Sequence, residues 1–322
     1  MPVSVGGHRY SDPDVLSLIF SGDGLIDPRT AVIERAQDLN KQLRSFGHIE
    51  DPRKRIEILA SLAGVRVVSM ASTNARPARE ALLFRDSAGL RKAFFDPNVS
   101  DARANFSIAH EIVHTFFPNS VHGARFRSMH VDDSREATEL ERLCHLGASE
   151  LLMPTEEFLK ERGENFGIKD VPRLAGIFGS SYEATLYRLA STHPGLAIAG
   201  RLKYRLRKSE ERKLRDVKQQ QLFTSGEVRA DALPTPKYRR QSLHTSQTCG
   251  PENLIPWNKS FDESSSVYLA RTTDDIVRGF EMLPNRASNI GTIECVQAPY
   301  EYSPSEAGFP DVLFLWRTEV DT

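Results

Sequence analysis

Cysteine is scarce in this chain. Only Cys144, Cys249 and Cys295 occur among 322 residues, with no C-x-x-C pair, which argues against both a disulfide framework and a cysteine zinc ribbon. No apolar run approaches the length needed to span a bilayer, so no membrane association is expected. The opening MPVSVGGHRYSDPDV has no basic region followed by an apolar one, so no export signal is expected. Neither sign of charge dominates: 42 Lys and Arg stand against 43 Asp and Glu. A soluble protein of a reducing cytoplasm fits these absences best. The length favours two domains over one, and the apolar content permits a real core in at least the first.

What the chain does contain is His110-Glu111-Ile112-Val113-His114. Two histidines four positions apart share one face of a helix and both reach a single metal ion. Neutral imidazoles suit Zn²⁺, and the carboxylate that follows the first His lies close enough to act on a water at the metal, which makes Glu111 the candidate general base. Phe106, Ala109, Val113 and Phe117 recur at helical spacing. Ser100 or Asp101 is placed to cap the start, no Gly or Pro interrupts the segment, and Pro118 closes it.

Two histidines do not complete a catalytic zinc site, which takes three protein donors and keeps one position open. The third is expected between Asp133 and Met153, a segment that reads as a helix. Asp133 and Glu136 are spaced like a capping box, Leu140, Leu143, Gly147 and Leu151 form an inward stripe, and Pro154 ends it. Glu136, Glu139, Glu141, His145 and Glu150 are its potential donors. Glu141 and His145 lie one turn apart beside the apolar stripe, and periodicity does not choose between them.

The run Phe106-Ser107-Ile108-Ala109-His110-Glu111-Ile112-Val113-His114, followed by Glu141 and then Ala148-Ser149-Glu150-Leu151-Leu152-Met153-Pro154, resembles the ImmA/IrrE family of metallo-endopeptidases. That family shows R-x-x-F-x-x-A-H-E-x-x-H, then E-x-x-A-N-x-F-A-A-E-L-L-M-P. Arg103 and Phe106 match the first block. Glu141 falls on the first Glu of the second, which the resemblance makes the third zinc ligand. Cys144, His145 and Gly147 depart from the pattern, standing where Ala, Asn or Asp, and Phe are usual. His145 is therefore an extra donor near the metal, able to compete for it. The resemblance implies one Zn²⁺ per chain and a narrow protein substrate, a helix-turn-helix transcriptional repressor whose cleavage switches on stress or mobile-element genes.

Elsewhere, Asp27-Pro28 opens a helix whose Ile33, Ala36, Leu43 and Phe46 point one way before Gly47, and Asp51-Pro52 opens another that stops at Gly64. Val65 to Met70 reads as a strand. Ala81 to Phe84 and Leu90 to Phe95 flank Asp86-Ser87-Ala88-Gly89 as a β-hairpin. This order suits a small α+β zincin-like domain, and Leu90 to Phe95 is the candidate strand to pair with an extended substrate. His122, Arg125, Arg127 and His130 in the loop from Pro118 to Asp132 are candidate donors to an oxyanion.

Two short helices around Gly179-Ser180-Ser181, between Val171 and Ser191, resemble a helix-turn-helix. The family carries a matching element there, so the resemblance extends to about residue 200. Packing on the peptidase core is the favoured role of this element, with weak DNA contact or the holding of a DNA-binding substrate as the alternatives. Arg201 to Lys218 holds nine basic residues against three acidic. Its Arg201, Lys203, Arg205 and Arg207 alternate at strand spacing, which suits nucleic acid, an acidic partner or a solvated edge strand. Pro234 to Ser246 reads as a linker. Ser266 to Arg271, Gly291 to Ala298 and Val312 to Arg317 read as strands, in which Cys295 is expected to be buried.

The expectation is an α+β protein in three parts. Residues 1–200 form a zincin-like metallopeptidase domain with a helix-turn-helix-like element at about 171–191. Residues 201–250 form a basic strand, helix and linker, and residues 251–322 form a small β-rich domain of unassigned role. His110, His114 and Glu141 are expected to hold zinc, with Glu111 as base. The rival is a non-proteolytic regulator that binds DNA or a repressor, in which zinc serves only structure.

Overall fold

The computed structural model describes residues 2–22, 24–70, 81–117, 139–223, 233–284, 289–299 and 308–318. The chain divides into two compact units, Met1–Gly163 with Pro172–Ala184, and Glu164–Val171 with Thr185–Thr322.

In the first unit, β1 (Val3–Val5) and β2 (His8–Tyr10) pair antiparallel, and α1 (Pro13–Ile19) follows. The helices α2 (Pro28–Arg44) and α3 (Pro52–Leu62) start at the two Asp-Pro pairs, as the sequence implies. Asp27 and Asp51 accept the backbone N–H of Arg29 and Arg53, while each Pro fills a position whose N–H has no helical partner. The buried stripe of α2 is Val32, Ala36, Leu39 and Leu43. Ile33 is only partly buried, and Phe46 lies past the helix end with 61% of its surface exposed, so neither belongs to the core as expected. Gly64, with φ of 69°, turns the chain from α3 into β3 (Val65–Ser69).

β4 (Ala81–Arg85) and β5 (Arg91–Phe95) form the expected hairpin. Asp86 holds its turn, accepting Ala88 N–H at 3.0 Å and Leu90 N–H at 2.9 Å and pairing with Lys92 at 3.0 Å. The strand order is β3-β5-β4, so β5 is central, parallel to β3 and antiparallel to β4. That corrects the choice of Leu90 to Phe95 as the substrate-pairing strand: both its edges are already hydrogen-bonded, and β3 and β4 are the outer strands among the described residues.

α4 (Asp101–His114) and α5 (Glu139–Leu152) pack side by side. Gly147 makes their close approach feasible, since a Cβ there would come within 2.8 Å of both Val113 methyls and 2.7 Å of Val32 Cγ1. α6 (Thr155–Arg162) and α7 (Val171–Phe178) follow. Phe158 and Phe178 meet at 5.5 Å between ring centroids. The Gly179 carbonyl after α7 accepts a hydrogen bond from Asn105 Nδ2 of α4 at 3.1 Å.

The second unit holds most of α8 (Tyr182–Ser191), then β6 (Ala197–Arg205), α9 (Lys208–Phe223), β7 (Lys237–Thr245), α10 (Ser266–Ala270), β8 (Val277–Met282), β9 (Ile290–Gln297) and β10 (Val312–Arg317). Its antiparallel sheet runs β7-β6-β10-β9-β8 around a core that includes Tyr238, Phe261, Phe314 and Trp316.

Three segments differ from expectation. Pro234 to Ser246 is mostly the strand β7 and not a linker, because its polar composition hides a fully buried Tyr238 and an Arg239 bonded to the Asn258 carbonyl at 2.9 Å. Ser266 to Arg271 forms a helix where a strand was expected. Val267 and Ala270 are buried one turn apart, and Ser266 N–H donates to Glu281 at 2.7 Å. The basic strand is interior, and its charges are engaged within the unit: buried Arg201 lies 3.8 Å from Asp311, and Arg205 donates to the Arg240 carbonyl at 3.1 Å. Cys295 is buried in β9 as expected, and burial pushes its thiol well above the usual range.

Candidate metal centre

The last two turns of α4 are buried on every side: Ser107 through His114 all belong to the interior. A helix wrapped this way is normally apolar throughout. Here it carries His110, Glu111 and His114, only 1%, 3% and 4% exposed. Burying three ionisable groups on one helix is costly unless they are paired or hold a metal.

Their positions follow from helix geometry. The His110 and His114 rings stand 4.9 Å apart and nearly perpendicular, and across the helix pair Glu141 faces both. His110 Nε2 lies 3.1 Å from Glu141 Oε2, and His114 Nε2 lies 3.8 Å from Glu141 Oε1. Donors around a tetrahedral zinc at ~2.0–2.1 Å sit roughly 3.3 Å from one another. Two imidazole nitrogens and a carboxylate are the donor types such an ion takes, and the two nitrogen–oxygen distances, 3.1 and 3.8 Å to different oxygens of Glu141, lie either side of that spacing.

Burial alone would raise the Glu141 carboxyl. The hydrogen bond from His110 and the nearby charges of His110, His114 and His145 outweigh it and hold the group down at about 2. Glu141 is thus an anion at any ordinary pH, as a metal donor must be. The second nitrogen of each histidine has its own neighbour. Glu111 Oε1 is 3.7 Å from His110 Nδ1, and Cys144 Sγ is 3.5 Å from His114 Nδ1. A contact at Nδ1 fixes the ring so that Nε2 is the nitrogen turned toward Glu141.

The remaining donors on α5 sort themselves by use. Glu139 caps the chain entering α1, accepting Ser11 N–H at 2.7 Å and Asp12 N–H at 2.9 Å. Glu150, 2% exposed, accepts Thr155 N–H at 3.0 Å and the Thr155 hydroxyl at 2.8 Å, which fixes the start of α6. Neither faces the histidines. His145 does: its ring is 5.1 Å from that of His110, and one donor atom each from His110, Glu141 and His145 lie within 4.8 Å of one another. His110, His114 and Cys144 satisfy the same test. The Cys144 contact escaped the sequence reading, although a residue three positions after Glu141 returns to the same face of α5. Asp133, Glu136, His122, Arg125, Arg127 and His130 lie outside the described residues.

Residues 81–190, which run from β4 to α8 and include all of these groups, match the family described as the IrrE N-terminal-like domain. This segment belongs to the ImmA/IrrE family of metallopeptidases, as the motif implies. No curated protein matches the chain. Among solved structures, it is similar to one named "Mycobacterium tuberculosis transcriptional regulator", with 13% identity and a TM-score of 0.47 over 91% of this chain and 79% of that one. Among the described residues, no helix is long and apolar enough to cross a membrane.

Proposed function

We propose that the chain is a zinc-dependent endopeptidase in which His110, His114 and Glu141 hold the metal and Glu111 is the general base. The observation that carries this reading is the convergence of both Nε2 atoms, from two buried histidines, on the two oxygens of one partly buried carboxylate, at 3.1 and 3.8 Å, inside a segment of metallopeptidase family. Bound zinc supplies Lewis-acid chemistry, polarising the scissile carbonyl and acidifying water. Glu111, buried beside His110, takes the proton of the attacking water and returns it to the leaving amine nitrogen. Two neutral imidazoles and one carboxylate leave a divalent site with one net positive charge, which favours both roles.

The substrate in this reading is a helix-turn-helix transcriptional repressor, and its cleavage releases stress or mobile-element genes. Support for that identity comes from the family resemblance alone. The helix-turn-helix-like pair α7 and α8 is read as a packing element, since Asn105 of the site helix bonds the turn between them at 3.1 Å. Glu111→Gln tests the enzyme reading. It keeps the shape of the side chain and removes the base, so the variant is expected to retain zinc and to leave a co-expressed repressor intact where the wild type cuts it. Cutting by the variant at the wild-type rate sinks the reading.

A further inference from the structure

We propose that His145 is a fourth protein donor to the metal, so that three imidazoles and one carboxylate of this chain would hold it. The proposal rests on the zinc site described above. It adds to that site a residue which the three-donor scheme leaves without a task.

The geometry has four parts. Glu141 and His145 lie one turn apart on α5, as His110 and His114 do on α4, so the two helices present facing i, i+4 pairs to a common point. The donor atoms of His110, Glu141 and His145 are within 4.8 Å of one another, close enough for the three residues to be candidates for one ion. His145 is exposed, whereas His110 and His114 are interior, so it approaches from the solvent side, where the open position of a peptidase belongs. Phe106 supports the arrangement: it meets the His145 ring edge-on at 5.7 Å and stands 6.4 Å from His110.

Cys144 is the competing fourth donor and is the weaker one. It contacts His114 at Nδ1, 3.5 Å away, whereas the nitrogen facing Glu141 is Nε2. The two nitrogens of an imidazole point to different sides of the ring, so an ion between Cys144 and His114 Nδ1 would not be the ion held by Glu141. Cys144 is also fully buried, away from any entering substrate.

A tetrahedral zinc with four protein donors is the arrangement of structural sites, and three with an open position that of catalytic ones. A histidine at an exposed helix position can leave without unfolding the helix. The consequence is a site that holds its metal more tightly than three donors would.

The test is X-ray absorption spectroscopy at the zinc edge on the purified full-length chain, which counts imidazoles bound to the metal, together with zinc affinity from competition with a chelator. The expected result is three imidazoles in the wild type and two in His145→Ala and His145→Asn, with zinc held at least tenfold less tightly in both variants. Two imidazoles in the wild type, unchanged by either substitution, overturn the fourth-donor proposal and leave the peptidase reading intact. A zinc-sulfur distance near 2.3 Å that vanishes in Cys144→Ala overturns it in favour of the thiol. A wild type that takes up no zinc overturns both readings together.

Discussion

Gly147 of α5 sits against Val113 of α4 so closely that a Cβ would meet both valine methyls at 2.8 Å. The contact lies between the site histidines and the helix that brings Glu141 to them. In this chain a larger residue at this position would press against Val113 and Val32. Gly147→Ala therefore overpacks the junction and is expected to destabilise the chain by about 1–3 kcal/mol. A denaturant midpoint unchanged from wild type contradicts that packing.

Cys144 carries a second prediction. Its sulfur touches the nitrogen of His114 that faces away from Glu141, so it orients the ring without joining the metal. Cys144→Ala is expected to weaken zinc binding about tenfold while the zinc-to-protein ratio at saturation stays at one. An affinity equal to wild type shows that the ring needs no such support.

The hairpin of β4 and β5 has a pH signature. The side-chain hydrogen bond from Lys92 and the backbone N–H groups of Leu90 and Ala88 hold the Asp86 carboxyl below its ordinary 3.8. A depressed folded value means that this carboxylate stabilises the native state above pH 3.8, and that the stabilisation is lost as the pH falls through the lower folded value. The difference in urea midpoint between wild type and Asp86→Asn is therefore expected to be largest near neutrality and to close in acid. A difference that stays constant with pH assigns the effect to shape and not to charge.

The local features of the site were legible in the sequence. His110, Glu111 and His114 follow from helix periodicity, the Asp-Pro starts of α2 and α3 from capping chemistry, and the hairpin turn from Asp86 to Gly89 from its composition. Glu141 was not separable from His145 by spacing, because both lie on the same stripe of α5 and only its approach to α4 tells them apart. Cys144 reads as a core residue until His114 is placed beside it. The second unit was less legible, since tertiary partners decide it. Ser266 to Arg271, a short apolar run rich in strand-forming residues, is fixed as a helix with Glu281 bonded to its start, and the arginines of β6 look like a free charged face until Asp311 and β7 are seen beside them.

Metal content of the purified chain tests the central claim most directly, measured by mass spectrometry for the wild type, His114→Ala and Glu141→Ala, each checked for folding by circular dichroism. One zinc per chain is expected in the wild type, and a clearly lower content in both variants purified in the same way. A folded wild type that contains no zinc and cannot be reloaded with it contradicts the account.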